Sequence, residues 1–339
     1  MNTVIKKVFR YMLLFLLVVV VVLVCLAGFL FIGSAKEAKN ISWGVNFSQI
    51  QSQALGLDWK ENYLALLEDM NVKVLKIVAY WSLIEPEKNN YNFNDLDWQI
   101  EQAEKNKAKV VLAVGMKASR WPECHIPQWA GGLSKEEQQE EILAMVKEVV
   151  SRYRGSSAIS VWQVENEPLF PFGKCPWVDK NFLKKEINLV KEIDYTKRPV
   201  MITDSGEGSF WFVAAQLGDV VGTTMYRKVW FDQFERYISY PLPPVFYARK
   251  AKVIEKIFNK KVIVSELQAE PWCKQSLQAC PPEEQKKTVS LDRFREIVSF
   301  SKKTGFDEFY FWGAEWWYWL KEKQNQPQIW EEAKTLFNK

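Results

Sequence analysis

The chain has 339 residues, of which 48% are hydrophobic and 25% charged, with 15 Gly and 14 Pro. That composition excludes a disordered chain, a collagen-like repeat and a disulfide-knotted miniprotein. A single His (His125) excludes a His-rich zinc or iron site, and any acid–base chemistry must rest mainly on carboxylates. The formal charge of +4 owes three units to Lys6, Lys7 and Arg10, and the remainder carries no electrostatic footprint for nucleic acid.

Tyr11 to Ile32 carries no charge and is rich in Val and Leu. A helix needs about 20 apolar residues to span a bilayer, whereas a signal-peptide core usually has about 7–15. The length favours a transmembrane signal anchor, with the cationic N-terminus inside and the bulk of the chain outside the cytoplasm. Gly33-Ser34-Ala35 also satisfies the small-residue rule for cleavage, which would give a secreted protein instead. The expected division is 1–35, a cytoplasmic stub and anchor, and 36–339, one catalytic domain. With Cys25 set in the anchor, Cys124, Cys175, Cys273 and Cys280 remain. Two disulfides are expected, Cys273–Cys280 locally and Cys124–Cys175 across loops.

From residue 41 the chain alternates strand and helix. Apolar, β-rich runs open at Ile41–Val45, Val72–Val78, Lys109–Val114, Ala158–Trp162, Arg198–Ile202, Asp219–Gly222, Lys261–Ser265 and Phe306–Phe311. Amphipathic stretches separate them, most clearly Glu136–Arg154 with Ile142, Met145, Val146, Val149 and Val150 at helical spacing. Continuous apolar strands bracketed by helices mark a parallel sheet, and eight such units fit a (β/α)8 TIM barrel of the α/β class. The alternative, a doubly wound open sheet, lacks any G-x-G-x-x-G or P-loop after a strand. In a barrel the site lies at the C-terminal ends of the strands.

Two of those ends carry acids. The fourth strand runs into Glu165-Asn166-Glu167-Pro168 and the seventh into Glu266-Leu267-Gln268-Ala269-Glu270. Paired carboxylates are what glycosidic cleavage needs: one protonates the leaving oxygen, the other attacks the anomeric carbon or activates water. No cofactor or metal is required.

Asn166-Glu167-Pro168 together with Glu266 resembles the clan A glycoside hydrolases, retaining TIM-barrel enzymes that include cellulases, mannanases, xylanases and β-galactosidases. The second strand adds to the resemblance, with Trp81-Ser82, Glu85-Pro86, Tyr91-Asn92-Phe93 and Leu96-Asp97 in the clan's order. So do Tyr226 after strand six and Phe311-Trp312-Gly313 at strand eight. The resemblance implies Glu167 as general acid/base and Glu266 as nucleophile. It implies Asn166 on the sugar 2-hydroxyl, Tyr226 donating to Glu266, and Trp312 as the platform beneath the sugar being cleaved. Lys76 stands where the clan has Arg and loses its bidentate fork. Lys117 and Tyr226 lie where the clan often has His.

Lys76, Trp81, Trp121 and Trp272 join the expected substrate-binding set, and Trp129, Trp316 and Trp317 lie near strand ends as well. Trp162, inside a strand, reads as core. Glu165 reads as a structural acid and Glu270 as a rim residue. Asp204 and Glu207 fit a sugar contact or plain turn chemistry equally. His125 reads as a loop residue packed beside a disulfide, with a substrate contact as the alternative. The expected function is a membrane-anchored retaining glycosidase acting on a β-linked oligo- or polysaccharide. Its partners are that glycan and the lipid bilayer, without nucleic acid. The alternatives are an inactive glycan-binding barrel at the cell envelope and a transglycosylase using the same two Glu.

Overall fold

The computed structural model describes residues 3–338; Met1, Asn2 and Lys339, at the extremes of the two expected segments, lie outside the described residues. Eight parallel strands close into a barrel: β1 Ser42–Asn46, β2 Val74–Val78, β3 Lys109–Val114, β4 Ile159–Val164, β5 Val200–Asp204, β6 Val220–Met225, β7 Lys261–Gln268 and β8 Glu308–Trp312. Closure is made by β8 against β1, with Ser42 opposite Glu308 and Val45 opposite Phe311. The fold is the TIM barrel expected from the alternation.

Two apolar layers hold it. Inside the barrel Val111, Met201, Ile263 and Tyr310 pack together, filling the lumen as β-branched and aromatic residues do in this architecture. Outside, the strand faces meet the amphipathic helices. The clearest helix runs Lys135–Tyr153, started by a capping box in which Ser134 and Glu137 satisfy each other's backbone. Its Ile142, Met145, Val146, Val149 and Val150 are all fully buried, as their spacing requires. Trp162 is core, and its indole N–H donates to Asp194 at 3.0 Å.

β7 continues to Gln268, so Glu266 sits within the strand and not where it becomes a loop. β8 ends on Trp312, as expected. A short antiparallel hairpin, Lys228–Phe231 with Arg236–Ser239, follows β6 and covers that side of the barrel mouth. Both expected disulfides are present, Cys124–Cys175 and Cys273–Cys280. Ahead of the barrel lies a helix, Thr3–Phe31. Its Ile5–Phe31 stretch has a mean hydropathy of 3.4 with none of it buried, so it is long and apolar enough to cross a membrane.

Candidate active site

Glu266 projects from β7 where the pairing register shifts against both neighbouring strands. Each of its oxygens has its own donor. Lys76 Nζ, from β2, lies 3.0 Å from Oε1, and the Tyr226 hydroxyl donates to Oε2 at 3.0 Å. Acceptance on both oxygens from a cation and a hydroxyl is the pattern of a carboxylate. Lys76 is 1% exposed and also reaches Asn166 Oδ1 at 3.4 Å. That corrects its expected place in the substrate-binding set: the ammonium is spent on Glu266 and Asn166. A lysine suffices because each contact needs only one donor of a point charge.

Asn166 is held from three directions. Its Oδ1 accepts from Gln163 Nε2 at 3.1 Å and from Lys76, its Nδ2 faces Glu123 Oε2 at 3.5 Å, and its backbone N–H donates to the Lys117 carbonyl at 2.7 Å. Glu167 follows in the left-handed region at φ 42°, with its N–H on Thr203 Oγ1 at 2.7 Å. The positive φ turns the chain sharply after β4 and sends consecutive side chains, Asn166 and Glu167, into one site. Burial, then the charges of Glu266, Glu123 and Glu207, push the Glu167 carboxyl well above the usual range, and Lys117 opposes. Lys117 itself, lowered by burial, donates to the Glu167 and Phe170 carbonyls at 2.9 and 2.7 Å.

A third acid, Glu123, was not legible as a site residue. It is buried on the loop after β3, at φ 73°, next to Cys124 of the disulfide to Cys175. Burial and the Glu266 charge raise its carboxyl to about 8, against Lys117, Asn166 and Lys76. The only hint in the sequence is its place between a proline and a disulfide cysteine.

The surrounding acids are structural. Glu165 accepts from the Met116 and Lys117 N–H groups at 2.7 and 2.5 Å. Its carboxylate lies where a Cβ on Gly115 (φ 114°) would be only 2.5 Å from Oε1, so the approach requires glycine. Glu207 takes donors from Tyr226 N, Thr224 Oγ1 and Tyr247 Oη, bracing the loop under Tyr226. Asp204 accepts from Ser205 N and Ser209 Oγ, which is turn chemistry. Glu270 is not the rim residue expected: it is buried and ion-paired with Arg120, which also bridges to Glu315 at 2.8 Å. The segment after β7 turns inward because Arg120 supplies a cation there. His125 shares a hydrogen bond with the Arg120 carbonyl at 3.0 Å and meets the Tyr80 ring at 4.5 Å; burial lowers it to about 4.

The tryptophans divide. Trp81 is fully buried, with its N–H on Glu85 at 2.9 Å and its ring edge-on to Trp129 at 5.7 Å. It is core and not a cleft wall, because the turn Trp81–Ile84 directs the indole back into the fold. Trp316 and Trp317 are core as well. Trp312 is 8% exposed, and the Arg120 guanidinium stacks 3.9 Å from its ring centre, covering one face. Trp272 and Trp121 remain near the surface. Trp272 meets Tyr226 edge-on at 5.1 Å, and Phe172 links it to Trp121, which is 60% exposed. A line of rings thus leads from Glu266 outward. Among the described residues no cluster of His, Cys, Asp or Glu is placed to hold a metal ion.

A family model described as Beta-galactosidase matches residues 52–131. Mannan endo-1,4-beta-mannosidase A of Emericella nidulans is 26% identical over 184 residues, 50% of this chain and 47% of its own. The chain therefore spans about half the length of this curated relative. Among solved structures, xylanase 10B from Thermotoga petrophila in complex with xylobiose superposes with a TM-score of 0.55 at 17% identity, covering 81% of this chain and 82% of that one. GH5_18 from Streptomyces cattleya in complex with GlcNAc gives 0.58 at 11%, covering 81% and 71%. A beta-galactosidase from Halorubrum lacusprofundi gives 0.54 at 15%, covering 80% and 52%. At these identities the structural likeness is one of fold. The family-model match and the mannosidase relative agree with the resemblance to clan A glycoside hydrolases read from the sequence, and the solved structures agree with its fold; the family-model match stops short of Glu167 and Glu266.

Proposed function

We propose that the chain is a retaining glycoside hydrolase acting on a β-linked glycan outside the cytoplasm, held there by Thr3–Phe31 as a membrane anchor. The observation that carries the reading is the divided environment of the two acids. Glu266 has Lys76 and Tyr226 on its oxygens, while burial and neighbouring charge keep the proton on Glu167. Opposite protonation states in one site are what a double displacement requires. Glu167 gives its proton to the glycosidic oxygen as that bond breaks, and a Glu266 oxygen bonds to the anomeric carbon. In the second half Glu167 takes a proton from water, which attacks the same carbon and releases Glu266. Lys76 and Tyr226 hold the nucleophile's orientation, so little rearrangement is left for the transition state. Trp312, 8% exposed and packed beside Tyr226, backs the apolar wall that Trp272 and Trp121 extend toward further sugar units.

The substrate is named by incubating the full chain in detergent micelles with β-glucans, mannans, xylans and galactans and measuring released reducing ends. The reading expects cleavage of at least one class, with Glu167→Gln losing about 10²–10⁴-fold and Glu266→Gln losing nearly all. A Glu266→Gln protein that cuts as well as the parent would remove Glu266 from the mechanism. Binding without cleavage would favour a glycan-binding barrel, and longer products would mark a transglycosylase.

A further inference from the structure

The N-terminal helix ends against the barrel, on the helix Pro244–Phe258. The Phe31 and Phe246 rings are 5.3 Å apart, Arg249 donates to the Gly28 carbonyl at 3.3 Å, and its guanidinium lies 5.1 Å from the Phe29 ring centre. From that contact an apolar line continues across the barrel wall. Lys250 Nζ lies 4.8 Å from the Phe246 ring, 3.8 Å from Trp211 and 6.0 Å from Phe210. Phe210 stacks with Phe212 at 6.3 Å, and Phe212 meets Phe258 at 6.0 Å. Ile257 falls on the same helical stripe as Phe246, Lys250 and Val253.

This line is left in water by the barrel itself: Phe210, Phe212 and Ile257 are 59%, 42% and 63% exposed. Scattered apolar residues are ordinary on a surface, but a connected row of them marks an interaction site. Beside it Arg249, Lys252 and Lys256 recur at helical spacing, with Lys252 and Lys256 exposed and Glu255 the one acid of that helix.

The geometry points to a second membrane contact: Phe210, Phe212 and Ile257, flanked by Lys252 and Lys256, rest on the phospholipid surface from which the N-terminal helix emerges. The occupant is fixed by continuity. The row begins where the apolar helix meets the barrel, so a bilayer that holds that helix lies within reach of the same wall. The chemistry agrees, since apolar rings enter the acyl boundary while lysines meet headgroup phosphates. Phe210 belongs to the loop after β5, on the rim of the barrel mouth. The β5–β6 side of that mouth is therefore held toward the lipid, and the site reaches glycan lying close to the membrane. The inference rests on the reading of Thr3–Phe31 as a membrane span.

The test uses the full chain reconstituted in phospholipid vesicles containing a photoactivatable-acyl phospholipid, irradiated, digested and mapped by mass spectrometry. Lipid adducts are expected on the N-terminal helix and on peptides carrying Phe210–Phe212 and Lys252–Phe258. Replacing Phe210, Phe212 and Ile257 with Ser should reduce the barrel adducts about fivefold or more and leave the helix adducts unchanged. Lys252→Glu with Lys256→Glu, two exposed changes that leave packing intact, should reduce them more in anionic than in zwitterionic vesicles. Adducts on the helix alone would overturn the surface contact and leave the span. Adducts on neither would overturn the span itself, and adducts spread evenly over the barrel would overturn the assigned face.

Discussion

Glu123 shows how a single buried acid can set the proton balance of its neighbours. Its ionised form raises Glu167, and its own carboxyl is raised to about 8 by burial and by Glu266. Glu123 ionises only as pH rises through about 8, so replacing it with Gln removes a negative charge that favours protonated Glu167 from there upward. The sign follows directly: without that charge Glu167 releases its proton at lower pH, and the alkaline limb of the kcat/KM profile moves to lower pH. A profile of Glu123→Gln that keeps the parent's alkaline limb would show that Glu123 does not act on Glu167. The motif reading had no access to this residue. Asn166-Glu167 could be seen because its role is encoded by neighbours in sequence, whereas Glu123 gains its role from Glu266 on β7, Asn166 after β4 and Lys117 across its own loop. Lys76 and Glu270 were misjudged for the same reason: each is defined by a buried partner, Glu266 and Arg120, that sequence does not reveal.

At the scale of elements, the loops after β3 and β4 act as one unit. The Cys124–Cys175 bridge joins them across 51 residues, Lys117 Nζ binds the β4 loop carbonyls, and the Lys174 N–H binds the Pro122 carbonyl. In the chain-entropy account a loop of that size is worth about 4 kcal/mol. Cys124→Ser with Cys175→Ser is expected to lower the calorimetric melting temperature and to reduce activity further, because Glu123 adjoins the bridge. Loss of stability with full activity per folded molecule would separate the bridge from the site. These elements were only partly legible. Glu266 read as lying where β7 becomes a loop because Ser265, Glu266 and Gln268 are polar, and polar side chains aimed into a barrel mouth look like loop. Trp81 read as a cleft residue from its place after β2, and only the following helical turn buries it. The hairpin after β6 went unread because its two strands are four residues each.

Across the whole molecule the buried acids dominate the pH response. Glu123, Glu165 and Glu315 are raised by burial from 4.5 to about 8, 7 and 7, and Glu167 and Glu186 also lie well above 4.5. Each holds a proton in the folded state that the unfolded chain has already released. The stability they contribute is full below about 4.5 and is lost as pH rises through 7–8. His125, lowered from 6.5 to about 4, and Lys250, lowered from 10.5 to about 7, act in the opposite sense. Between pH 6.5 and 7 the acids titrate against neither His125 nor Lys250, and Lys117, also lowered by burial, opposes at most one of the five. The melting temperature is expected to fall across that interval and to be lower at pH 8 than at pH 6.5. A rise would mean that these carboxyls are ionised in the fold. Fold class itself was fully readable, because eight apolar strands between amphipathic helices leave few alternatives.

A double displacement requires that Glu266 bond covalently to the sugar. The direct measurement is peptide mass mapping of the full chain after reaction with a 2-deoxy-2-fluoro glycoside bearing a good leaving group, in the sugar series that the glycan panel identifies. The fluorine destabilises the positive charge of both transition states, while the leaving group restores the first step alone, so the intermediate accumulates. The added fluoroglycosyl mass is expected on Glu266 and is expected to be absent in Glu266→Gln. The same mass on Glu123 or Glu270, or turnover by Glu266→Gln at the parent's rate, would contradict that role for Glu266.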